Sequence, residues 1–216
     1  MKSSCSNRKN QGLTILEVLV VVFVLVIIAA MLLPAPGPRR GRMAMRIMCV
    51  NNLKEMSLAA RIWEGDHQDY YPTAVTNTNG GAMEQASLGD VVAVFQVLSN
   101  ELGTPKILVC PADTDHDPAT NFSIGFSAKN ISYFVGLDVN EANPQMLLSG
   151  DDNFETNGIA VKSGILTIQT NYIIAWTAAR HNHCGNVAIT DGSVQELTTS
   201  ALREYCAFTT NRIAIP

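Results

Sequence analysis

Positive charge is scarce in this chain. Of 216 residues, 15 are Lys or Arg against 19 Asp or Glu. The shortage deepens along the sequence. From Met43 onward 9 basic residues face 18 acidic ones, a net charge near −9. Nucleic-acid binding wants clustered Lys and Arg, so nucleic acid is excluded as a partner. Histidine is scarcer still: His67, His116, His181 and His183. No catalytic constellation forms around them. Ser193 follows Gly192 but lacks the flanking pattern of a nucleophile elbow, and the chain reads as no enzyme. It has no internal repeat and no low-complexity tract, so it is not a repeat array.

What the chain does have stands at its beginning. A short leader carries Lys2, Arg8 and Lys9 and ends at Gly12. Leu13 to Leu33 follows, 21 residues that are apolar apart from Thr14 and one carboxylate, Glu17. As a helix it is roughly 30 Å long, enough to cross a bilayer. A carboxylate near the middle of a spanning helix costs roughly 2.5–3.5 kcal/mol, and less near an end, where Glu17 lies. An ordinary secretory signal has an apolar core of about 7–15 residues and a cleavage site of small residues. This core is longer and charged, and the region of Pro34 and Ala35 is a poor site. A plain anchor explains the length but not the placement of Gly12 and Glu17.

Gln11-Gly12-Leu13-Thr14-Ile15-Leu16-Glu17 resembles the class III signal of type IV pilins and type II secretion pseudopilins. The resemblance implies cleavage between Gly12 and Leu13 by a prepilin peptidase, which then methylates the new amine. Leu13 departs from the family's usual phenylalanine. The resemblance also implies that Glu17 meets the amine of a neighbouring subunit during assembly. Two opposite charges in a low-dielectric layer attract strongly, and each offsets the other's desolvation. Basic residues lie on both sides of the span, with Arg39, Arg40 and Arg42 beyond it, so flanking charge leaves the orientation open. The resemblance puts the leader in the cytoplasm and the C-terminal part outside the inner membrane. The implied partners are the peptidase, other pilin or pseudopilin subunits, the inner-membrane assembly platform and the membrane. The other reading is an anchored extracytoplasmic binding module that never polymerises.

The domain plan is a cleaved leader at 1–12, a transmembrane and assembly helix at 13–33, a Pro/Arg-rich kink at 34–42 and an extracytoplasmic domain at 43–216. Pro34, Pro36 and Pro38 disfavour a regular helix at the kink. Beyond it Met43, Ile47, Val50, Leu53, Met56, Ala60 and Trp63 recur at steps of three and four, one apolar stripe on a helix reaching about Asp66. His67 to Ala86 reads as loop, and Gly89 to Leu102 as a short helix. Strands are expected at 106–110, 131–137, 146–149, 165–169 and 172–176. Asn186–Thr190 and Ser193–Leu197 flank Asp191-Gly192, a hairpin with a type I′ turn. Ser200 caps a last short helix through Tyr205. The fold class is therefore α+β, a long N-terminal helix packed on a small antiparallel sheet.

His181, nine residues, then Asp191-Gly192 resembles a C-terminal signature of a large bacterial group of pilin-like proteins. Cys110-Pro111-Ala112-Asp113 and Asn130 to Leu137 are similar to segments of the same group. Cys49, Cys110, Cys184 and Cys206 remain after loss of the leader. Disulfides are allowed in an oxidising compartment, and the three pairings and four free thiols stay open. His181-Asn182-His183-Cys184 packs three ligand types into four residues, but Cys206 and Asp191 complete no zinc spacing, so no metal site is expected there. Asp113 to Asp117 begins like an EF-hand loop and fails at Pro118 and Ile124. No cofactor is expected. A calcium site using some of Asp113, Asp115, Asp117, Asp151 or Asp152 is the alternative to a solvated acidic loop.

Overall fold

The computed structural model describes residues 14–32, 38–168, 173–208 and 211–216. The chain divides into two compact units, Met1–Arg40 and Gly41–Pro216. In the first, helix α1 spans Ile15–Leu32, and none of its side chains is buried. It is long and apolar enough to cross a membrane.

The second unit opens on helix α2, Pro38–Asp66, which begins just before the unit boundary. Of the kink expected at 34–42, residues 38–42 are therefore helix, while 33–37 lie outside the described residues. Three short helices follow: α3 (Met83–Ser87), α4 (Val91–Val97) and α5 (Ser99–Leu102). The strands are β1 (Tyr133–Gly136), β2 (Leu147–Asp151), β3 (Phe154–Thr156), β4 (Ile159–Ala160), β5 (Gly164–Ile168), β6 (Ile174–Trp176), β7 (Cys184–Ile189) and β8 (Val194–Thr198). Helix α6 (Thr199–Phe208) and strand β9 (Asn211–Ile215) end the chain. A six-stranded sheet has the order β5-β9-β1-β2-β7-β8, and a three-stranded sheet the order β4-β3-β6. Every strand pairing is antiparallel.

The large sheet is covered on both faces. Tyr133, Val135, Leu148, Ala188 and Ala214 share one core with Cys49, Leu53, Met56, Ala60 and Trp63 of α2. Their strand neighbours Phe134, Leu147, Val187 and Ile213 point the other way, into a core with Phe154, Trp176 and Leu202. Successive side chains of a strand face opposite sides, so this sheet needs apolar residues at consecutive positions. Each fully buried Leu, Ile, Val or Phe contributes about 1.5–3 kcal/mol of transfer free energy.

The α+β class stands as expected, and the structure corrects several details. The buried stripe of α2 runs through Cys49, Leu53, Met56, Ala60 and Trp63. Met43 and Ile47, assigned to it from periodicity, are 66% and 55% exposed. The core begins about two turns later than the apolar pattern does. Residues 106–110 form no strand, because Pro105 opens a 3-10 turn, Pro105–Leu108, that Thr104 caps through Lys106 N. The expected helix at 89–102 is two helices, α4 and α5, with Asp90 Oδ1 capping the first at 3.0 Å from Val92 N. The 67–86 loop contains two 3-10 turns and α3. The β7–β8 hairpin is present, but its turn is not type I′. Only the glycine of the pair has positive φ, 89°. Gly192 N bonds Ile189 O at 2.9 Å and Ile189 N bonds Ser193 O at 3.0 Å. The turn is therefore centred on Thr190 and Asp191, with Gly192 as the bulge residue. Strands β3, β4 and β9 were not foreseen.

Candidate functional site

Two places carry chemistry. The first is the start of α1. Thr14 stands before the helix and Glu17 is its third residue. Glu17 Oε2 accepts from Thr14 N at 2.9 Å and from Thr14 Oγ1 at 3.0 Å, and Glu17 N donates back to Thr14 Oγ1 at 3.3 Å. This is a reciprocal capping box, satisfying amides that the first turn of a helix leaves without partners. The Thr-x-x-Glu pattern was legible in the sequence and went unread. Gly12 and Leu13, the expected cleavage pair, lie outside the described residues.

The second place is a buried polar cluster where α2 meets the large sheet. Cys49 comes from α2. Cys110 follows the 3-10 turn at Pro105–Leu108, with Asn52 of α2 holding Val109 O at 3.3 Å. Asp151 ends β2, and His181 precedes β7. Asn182 and His183, with φ of 55° and 61°, turn the chain into that strand. Left-handed backbone is uncommon without glycine, and it concentrates at functional sites. Cys49, Cys110 and Asp151 are each 0% exposed. His181 is 5% exposed. The four ligand atoms all lie within 4.8 Å of one another. Cys49 Sγ lies 3.3 Å from Asp151 Oδ1, and Cys110 Sγ 3.3 Å from His181 Nε2. His181 Nε2 lies 3.5 Å from Asp151 Oδ2.

The surroundings orient this set. Asp151 Oδ2 accepts from the backbone N of Asn186 at 2.7 Å and from its side-chain Nδ2 at 3.0 Å. The same Nδ2 points at Cys49 Sγ at 3.4 Å, and Tyr133 OH donates to that sulfur at 3.4 Å. Arg46 of α2 donates to His181 O at 3.2 Å and pairs with Glu196 at 2.6 Å. The hydrogen bond with Cys110, then burial and the Asp151 charge, push the Cys49 thiol far above its ordinary range. The same bond, with help from His181 and against burial, brings Cys110 down to about 6. Burial works to lower His181, but Cys110 and Asp151 outweigh it and raise it.

The acidic residues of the calcium expectation do not gather at one point. Arg180 Nη2 holds Asp113 Oδ2 at 2.6 Å and Nη1 holds Asp152 Oδ1 at 2.5 Å. Nη1 also donates to Ser132 O at 2.8 Å. Asp115 and Asp117 are exposed, and Asp151 belongs to the thiol cluster. Among the described residues all four cysteines are free thiols. His183 and Cys184 do not join His181. His183 Nδ1 lies 3.1 Å from Trp176 O instead. The other end of the His-to-Asp-Gly spacing is the tip of the hairpin, where Arg61 of α2 donates to Asp191 O at 3.0 Å. Both ends of that spacing are thus tied to α2 across the length of β7.

Residues 7–33 match the family model for the prokaryotic N-terminal methylation motif. The chain therefore carries a prepilin-type signal of the type IV pilin-like kind. No curated protein and no solved structure matches the chain.

Proposed function

We propose that this chain is a structural subunit, a pilin or pseudopilin, of a type IV pilus-like or type II secretion pseudopilus filament. A prepilin peptidase cuts between Gly12 and Leu13 and methylates the new amine. The mature chain stays in the inner membrane through α1, with the domain after α1 outside the cytoplasm, until the assembly platform adds it to a filament. One observation carries the reading: the methylation motif over residues 7–33 runs into an apolar, membrane-length helix with one carboxylate, Glu17. The start of α2 adds support. Met43, Met45, Ile47 and Met48 are all exposed there. Grouped exposed apolar side chains mark an interaction surface, which single ones do not.

The test is the mature N-terminus. Intact mass after co-expression with a prepilin peptidase should show residues 1–12 lost and one methyl added. A chain that keeps its leader, or starts near Gly37, would refute processing and favour the anchored module that does not polymerise.

A further inference from the structure

We propose that Cys49, Cys110, Asp151 and His181 form a closed zinc site that fastens α2 to the large sheet. The inference is independent of filament assembly. Four donors of metal-binding type converge from four separate segments, and all are buried. Zinc bonds of about 2.3 Å to sulfur and about 2.0–2.2 Å to nitrogen or oxygen set tetrahedral corners roughly 3.3–3.8 Å apart. With Asp151 Oδ1 as the carboxylate ligand, the Cys49–Asp151 and Cys110–His181 edges are each 3.3 Å, and the four ligand atoms all lie within 4.8 Å of one another. Two thiolates and an imidazole are a soft set that selects zinc among the common divalent ions. Four protein ligands leave no open position, which marks a structural site rather than a catalytic one.

The second layer fits the same reading. Metal-bound carboxylates are oriented by outer hydrogen bonds. Asn186 takes Asp151 Oδ2 with two donors and leaves Oδ1 turned toward Cys49. Tyr133 OH and Asn186 Nδ2 both aim hydrogens at Cys49 Sγ, contacts that would steady the sulfur once a metal replaces its proton. The Asn186 amide spends its donor there at the expense of its own Oδ1, which is buried without a partner. Arg180 bonds Asp113 and Asp152 rather than Asp151. A Cys49–Cys110 disulfide would use two of the four groups. It would leave Asp151 Oδ1 without the thiol hydrogen and His181 Nε2 facing a neutral sulfur. A divalent cation uses all four. Binding replaces the two thiol protons, which pass to solvent, and the imidazole offers the lone pair of Nε2.

The full-length chain in detergent, reduced and stripped with a chelator, is titrated with zinc and with cobalt. Zinc should bind at one ion per chain and raise the melting temperature. Cobalt should give thiolate charge-transfer bands and the visible bands of tetrahedral coordination. Asn186→Ala should weaken zinc by roughly 10–100-fold, the usual effect of losing an outer partner, and Cys110→Ser or His181→Ala by more. Cys184→Ser, outside the cluster, should bind like the parent. Should ligand variants fail to fold, the unmodified chain decides. No stoichiometric zinc in the reduced protein overturns the site. So does a mass two hydrogens lower, mapped to a Cys49–Cys110 bond, in protein taken from the membrane of the cell.

Discussion

Arg180 and His181 are neighbours in sequence and serve different clusters. Arg180 is the shared cation of two buried carboxylates, and their environments diverge. Burial raises Asp152 to about 6 even with Arg180 beside it. Burial also works to raise Asp113, but the Ser132 hydroxyl and Arg180 hold it below its ordinary range. In the native chain Asp113 therefore adds stability at neutral pH that is lost as pH falls through its depressed value. Asp152 acts oppositely: ionising it costs stability as pH rises from about 4 to about 6. Arg180→Gln leaves two buried carboxylates without their cation, and breaking such a pair costs about 3–5 kcal/mol. Both carboxyls would then titrate higher than they do in the parent, so the variant loses more stability relative to the parent as pH rises. Denaturant unfolding should show the largest loss relative to the parent near pH 7.5 and a smaller one near pH 5. An equal loss at both values would show that Arg180 acts by packing alone.

At the scale of elements, α2 is the spine on which the sheet is hung. Arg46, Cys49 and Arg61 reach the start, the middle and the tip of the β7–β8 hairpin's attachment. Strand β7 also passes under Trp176, and a Cβ on Gly185 would stand 2.6 Å from that ring. Trp176 is itself stacked on Phe154 at 4.5 Å and cannot retreat. Gly185→Ala should therefore destabilise the domain by about 1–3 kcal/mol, the range for overpacked cores, read as a lower denaturant midpoint at unchanged slope. A neutral result would mean that the Trp176 pocket is slack. How much of this was legible follows the range of each signal. Local signals read well: the apolar run of α1, the helix of α2, the Asp-Gly hairpin and the presence of α6, although Thr198 caps that helix and Ser200 lies inside it. Strands β1 and β2 were expected at 131–137 and 146–149 from their β-branched and aromatic residues, although burial on both faces leaves them no in–out alternation. Short β3 and β4 leave too few residues for a period. The stripe of α2 was misplaced because Met43 and Ile47 keep its spacing without meeting the core. The thiol cluster was illegible for a different reason. Cys110 and His181 are 71 residues apart, Cys49 and Asp151 102 apart. A search along the chain from His181 meets His183 and Cys184, which the turn at Asn182 directs elsewhere.

For the whole molecule, the proposed assembly turns on one carboxylate that already has work to do. Glu17 closes a capping box with Thr14 at the start of α1, so a loss of assembly in Glu17→Ala has two readings. One is the missing negative charge, which a buried amine on a neighbouring subunit would need as its partner. The other is a frayed first turn, since a lost cap typically costs about 1 kcal/mol. Glu17→Gln separates them. Glutamine at this position still accepts the Thr14 amide hydrogen, as capping boxes use either residue, but it carries no charge. Neither substitution touches Gly12, so processing should continue in both, and neither lies in the unit that holds the sheet, so that domain should stay folded. If charge pairing drives assembly, crosslinks between subunits should fall sharply in Glu17→Gln and in Glu17→Ala alike. Parental crosslinking in Glu17→Gln with loss in Glu17→Ala would assign Glu17 to the cap and remove the charge pair. Parental crosslinking in both would remove Glu17 from assembly and favour the anchored module.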